Sequence, residues 1–127
     1  ALLECSSKCR VPLIADGGIR ECGDISKAIA CGATMVMAGS FMSGFDENSG
    51  DTILINGERK YLYYGSASYN VKQDNKNIEG TEKLLDYKGS MDNHIAEIEG
   101  ALKSSVSYAG KKKLLDIQGT PLIYLQN

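Results

Sequence analysis

The sequence has no tryptophan, a single histidine and only two prolines. With one histidine, His94, standing far from every cysteine, a metal centre lacks ligands, and none is expected. No apolar run approaches the roughly 18 residues of a membrane-spanning helix. No basic start followed by a long apolar run marks a signal peptide. Excess positive charge is also missing: 14 Lys plus Arg stand against 16 Asp plus Glu, for a net charge of −2. The cluster Lys111-Lys112-Lys113 is short and isolated, so neither a nucleic-acid nor a membrane partner is expected. Four cysteines are present, Cys5, Cys9, Cys22 and Cys31, but none forms a CxxC pair. They read as unpaired thiols of a cytoplasmic protein.

What is present begins with LIADGGIRECGD, residues 13–24. A near-apolar run enters Asp16-Gly17-Gly18, and a charged segment follows. Either a buried strand ends on a working carboxylate with two glycines close to a ligand, or Asp and Gly are there because turns favour them. The 127 residues suit one domain. The opening, ALLEC, lacks Met and already reads as helix, the pattern of a piece of a longer chain.

The periodicity predicts the tail of a helix to about Cys9, then a strand over Val11–Ala15 with Pro12 near its start. Asp24 is the expected N-cap of a helix over Ile25–Cys31, with Gly32 after its end. A second apolar strand covers Thr34–Ala38. Two strands buried on both faces and joined by a helix make a parallel β-α-β unit. Both would end in glycine turns on the carboxyl edge, where such sheets bind ligands.

The period then changes. Residues 52–55 and 60–64 flank Asn56-Gly57, a β-hairpin signal with a type I′ turn. Residues 65–77 are polar and read as a mobile surface loop, and Leu84 to Tyr87 as a short strand. Ser90 caps a long helix, Met91 to about Val106, with Met91, Ile95, Ile98, Leu102 and Val106 as its apolar stripe. His94 lies off that stripe and reads as exposed or as a subunit contact. Lys111–Ile117 reads as a short helix, and Pro121–Leu125 as a strand or an extended tail. Two parallel strands cannot close a barrel, so these are the parts of one end of an α/β domain.

Over Val11 to Gly110, the stretch VPLIADGGIRECGDISKAIACGATMVMAGS, followed by LYYGSAS, NIEG, YKGS and SSVSYAG, resembles the IMP dehydrogenase and GMP reductase family. The resemblance implies a TIM (β/α)8 barrel of which residues 1–127 form the C-terminal part: strands 7 and 8, a hairpin with a mobile loop at about 50–80, and C-terminal helices. It implies GMP and IMP as ligands, a nicotinamide cofactor, the remaining N-terminal part of the same barrel as partner, and a homotetramer.

Carried over residue by residue, the resemblance gives Asp16 the ribose hydroxyls. Gly17 and Gly18 are given backbone N–H groups near the nucleotide, and Gly39, Ser40 and Tyr63 its phosphate. Gly65, Ser66 and Ala67 fall on the stretch that reads the purine edge, although the family often carries Met where Ser66 stands. Ser68 and Gly80 fall near the cofactor. Glu79 matches a glutamate beside the purine's reacting end, where an acid helps expel the 2-amino group. The family's nucleophilic cysteine belongs to a Gly-Ser-x-Cys-Thr loop after strand 6, and none of the four cysteines lies in such a loop.

The two branches differ in a flap carrying an Arg-Tyr pair before the glutamate. Here only Tyr69 to Ile78 intervene, without arginine, which favours a reductase using NADPH. The alternatives are an IMP dehydrogenase-like enzyme with a trimmed flap and a non-enzymatic nucleotide-binding barrel fragment.

Overall fold

The computed structural model describes residues 1–65 and 82–123. The chain divides into two compact units, Ala1–Ala38 with Ile95–Asn127, and Gly39–His94.

The first unit opens with helix α1 (Leu2–Lys8), strand β1 (Ile14–Asp16), helix α2 (Cys22–Ala30) and strand β2 (Met35–Met37). β1 and β2 pair in parallel, with Ile14 opposite Met35, Ala15 opposite Val36 and Asp16 opposite Met37. The expected β-α-β unit is therefore present. Its core comes from α2: Ile25, Ala28 and Ile29 are buried, together with Ala33 after the helix and Ile117 from a 3-10 turn, Leu114–Ile117. Gly119 N–H donates to the Ala30 carbonyl at 2.9 Å and the Gln118 side-chain amide to the Ala33 carbonyl at 2.9 Å. The first of these bonds satisfies a carbonyl that the end of α2 would otherwise leave without a partner.

Helix α3 (Asp92–Tyr108) begins where the Ser90 hydroxyl accepts the Asp92 N–H at 3.2 Å. Its body, from Ile95 onward, belongs to the first unit. There the Ser105 hydroxyl donates to that of Ser26 on α2 at 2.7 Å.

Ile14, Met35 and Met37 on the two strands are 56%, 61% and 54% exposed, as expected for apolar strands from one end of a larger α/β domain. Among the described residues β1 and β2 have no third strand, and α2 packs on β2. The stripe on α3 likewise contains no buried residue. α2 begins at Cys22 with Glu21 as N-cap, because Asp24 serves as the third residue of a reciprocal capping box. Lys111–Ile117 is not a helix: Gly110 turns at φ 65° and Lys113 is extended, so only Leu114–Ile117 curls. No strand forms over 121–123, and the remainder of that expected element lies outside the described residues.

The second unit carries an antiparallel sheet in the order β3 (Thr52–Ile55), β4 (Glu58–Tyr64), β5 (Glu82–Asp86). Asn56 at φ 52° and Gly57 at φ 83° form the two-residue turn, both left-handed as a type I′ turn requires. Tyr61 is buried at the centre of β4, opposite Thr52 and Leu85, and its hydroxyl accepts the Gly50 N–H at 2.9 Å. Lys60 bridges Glu58 at 2.8 Å and Asp86 at 2.7 Å, and these two carboxylates hold its ammonium well above the ordinary lysine range. The expected hairpin is thus present, while residues 66–81, which hold most of the expected mobile loop, lie outside the described residues.

Candidate functional site

β1 ends on Asp16, whose register partner is Met37, the last residue of β2. Both strands therefore release the chain at one edge. Gly17 (φ 83°) and Gly18 (φ 75°) follow in the left-handed region that glycine adopts without a side-chain penalty. A Cβ built on either would meet nothing within 4 Å, so it is the backbone twist, and not crowding, that calls for glycine. Asp16 is exposed and lines a cavity of about 480 Å³ with Gly17, Gly18, Ile19, Leu2 and Cys5. The Gly17 N–H donates to the Met37 carbonyl at 3.2 Å and so extends the strand pair.

The turn after Gly18 is held by Asp24. One carboxylate oxygen accepts the N–H groups of Arg20 at 3.0 Å and Glu21 at 3.2 Å; the other accepts from the Lys27 ammonium at 3.2 Å. The Arg20 N–H first, and then Lys27, hold the Asp24 carboxyl below its ordinary 3.8. A carboxyl lowered in the folded state adds stability above its unfolded value and loses it as the pH falls through the folded one. Asp24→Ala is therefore expected to cost about 1 kcal/mol near neutrality, the scale of a lost cap. The gap to wild type narrows as the pH drops below about 4, and urea denaturation across pH reads both effects.

In the second unit, Gly39 and Ser40 open a 3-10 turn, Ser40–Met42. The Gly39 carbonyl accepts the Met42 N–H and the Ser43 hydroxyl, each at 3.0 Å. Asn48 braces the turn from behind, donating to the Met42 carbonyl at 3.1 Å and accepting the Phe45 N–H at 2.9 Å. The Tyr63 hydroxyl lies against the Gly39 Cα so closely that a Cβ there would overlap it. Gly39 has φ −86°, so glycine is required by the approach of Tyr63 and not by backbone strain. Three of the sequence-expected residues, Gly39, Ser40 and Tyr63, are thus brought together. Gly65 follows directly on β4.

Ser66, Ala67, Ser68, Glu79 and Gly80 lie outside the described residues. All four cysteines are free thiols; Cys5 and Cys9 are exposed, and Cys22 and Cys31 half-buried. Among the described residues no group of His, Cys, Asp and Glu could hold a metal ion, and no helix is long and apolar enough to cross a membrane.

Sequence reasoning missed His94. The side chain is half-buried, with ring centroids 4.6 Å from Phe41 and 4.9 Å from Phe45. The chain's only two phenylalanines, so close to the Gly39 turn, were the available signal.

The sequence matches the IMP dehydrogenase / GMP reductase domain over residues 1–124. The chain belongs to the IMP dehydrogenase/GMP reductase family. Among curated members of the family, it is 48% identical over 120 residues to a GMP reductase of Chromobacterium violaceum, covering 94% of this chain and 38% of that protein. A GMP reductase of Streptococcus pyogenes is 45% identical over all 127 residues, which are 39% of its own length. The fold resembles that of a GMP reductase from Trypanosoma brucei solved in complex with guanosine 5′-monophosphate. That superposition has a TM-score of 0.80 at 34% identity and covers 92% of this chain and 26% of that one. The chain thus spans well under half the length of the family members it matches. Its two small sheets, with no closed barrel among the described residues, are a part of the family's α/β barrel fold.

Proposed function

We propose that the full-length protein is a GMP reductase: GMP, NADPH and a proton give IMP, ammonia and NADP⁺. The observation that carries this reading over a dehydrogenase is the brevity of the segment between the Gly65-Ser66 stretch and Glu79. Only Tyr69 to Ile78 intervene, with no Arg-Tyr pair to activate a hydrolytic water. The curated relatives described above, each a GMP reductase, support it.

In this reading Asp16 accepts hydrogen bonds from the ribose hydroxyls, and its exposure at the strand edge suits that role. Gly18, Gly39 and Ser40 offer N–H groups and a hydroxyl to the phosphate, with the Tyr63 hydroxyl beside them. Gly65, Ser66 and Ala67 meet the purine edge. Glu79 holds the proton that the leaving amine needs. NADPH supplies the hydride when bound; Ser68 and Gly80 would meet it with a hydroxyl and a main-chain N–H. The exposed Ile14, Met35 and Met37 would be covered by the remaining N-terminal part of the same barrel, within a cytoplasmic homotetramer.

The test is GMP-dependent oxidation of NADPH with equimolar release of ammonia. Faster reduction of NAD⁺ by IMP would establish the dehydrogenase instead. Asp16→Ala gives a sharper probe of the ribose site. Wild type is expected to bind 2′-deoxy-GMP several-fold more weakly than GMP, and the variant to bind the two alike. An undiminished preference for GMP would remove Asp16 from the ribose.

A further inference from the structure

We propose that His94 is a positioning residue for phosphate recognition, setting the orientation of the Gly39–Ser40 main chain by intercalating between Phe41 and Phe45. The proposal rests on the reading of Gly39 and Ser40 as the phosphate site. Phe45 is the fixed wall of the stack, only 4% exposed. It bridges to Gly89, the flanking Asp46 N–H donates to the Gly89 carbonyl at 2.9 Å, and the Lys88 N–H donates to the Gly44 carbonyl at 2.7 Å. The Lys88 ammonium sits 4.8 Å from the Phe45 ring centroid, a cation over an aromatic face. His94 packs on this wall at an interplanar angle of 31°, and Phe41 packs on His94 at 59°.

Phe41 lies in the 3-10 turn next to Ser40. The peptide before it is held at its carbonyl, where Ser40 accepts the Ser43 N–H at 3.3 Å, and the Phe41 ring is its second hold. The hydrogen bonds of the turn run between Gly39, Ser40, Met42 and Ser43, and none of them fixes the Phe41 side chain. That anchor comes from the aromatic stack, in which tilted rings at these separations attract beyond simple burial. Without the imidazole, Phe41 can move into its space. Donors displaced by about 1 Å lose most of their value to a bound group. The loss falls on the phosphate alone, because the ribose and purine contacts proposed above come from other residues.

The experiment measures GMP and guanosine affinities of the full-length protein by calorimetry for wild type, His94→Ala, His94→Phe and Phe41→Leu. His94→Ala is expected to weaken GMP about tenfold and leave guanosine unchanged. KM for GMP should rise while kcat stays within about twofold, the pattern of lost ground-state binding. His94→Phe keeps a ring in the stack and should restore GMP affinity; Phe41→Leu should reproduce the defect if His94→Ala folds poorly. Equal loss of GMP and guanosine overturns the proposal, since His94 would then support the fold only. Failure of His94→Phe to rescue overturns it too. A wild-type protein that binds guanosine as tightly as GMP would instead overturn the phosphate reading itself.

Discussion

Gly39→Asp in the full-length protein is expected to weaken GMP binding by about a hundredfold or more, on the scale of like charges brought together at an interface. Two effects add. A Cβ at this position overlaps the Tyr63 hydroxyl, so the turn or the tyrosine must move. The new carboxylate then faces a phosphate of the same sign. Gly39→Ala separates the two effects, because it adds the overlap without the charge; a loss of about tenfold is expected. Combining Gly39→Ala with Tyr63→Phe removes the atom that the methyl group meets. The double variant should therefore lose less than the two single changes summed, the signature of residues in direct contact. Calorimetry with GMP reads all four proteins. Unchanged affinity in Gly39→Asp would move the phosphate away from this turn.

The second large effect is expected at Glu79. Glu79→Gln keeps the volume and a hydrogen-bonding oxygen but removes the exchangeable proton. GMP affinity should stay near wild type, while ammonia release in a single turnover should fall by about 10²-fold or more, the scale of general acid–base assistance. An amine leaves a purine carbon as ammonia only when protonated, and no smaller change at this residue isolates that proton. Release near the wild-type rate would reduce Glu79 to scaffolding. A parallel fall in affinity would mean that the glutamate grips the nucleotide instead.

Much of this was legible because local chemistry and fold agreed. Asn56-Gly57 announced a type I′ hairpin, and the backbone adopts it, since few other pairs tolerate two successive positive φ values. The parallel pairing of residues 14–16 with 35–37 followed from two apolar runs joined by a helix-forming linker just long enough for a crossover. Asp24 was misread as an N-cap because Glu21 is a less common residue there; only the reciprocal bonds between the two identify the box. The use of the Gly17 N–H within the sheet was equally hidden, since an amide's partner is set by a residue about twenty positions away. At the candidate site, Gly39 was chosen as a glycine for its backbone donors. The contact that explains it, with the Tyr63 hydroxyl, arises only once the hairpin has folded.

Tyr64 and Glu82 are register partners across β4 and β5, so the two ends of the intervening stretch are pinned side by side by the sheet. Closing a longer loop between fixed ends is entropically cheap, about 0.6 kcal/mol for each doubling of its length. The sheet therefore acts as a socket. A segment inserted between those two residues can lengthen, shorten or be exchanged while the hairpin beneath it keeps its pairing.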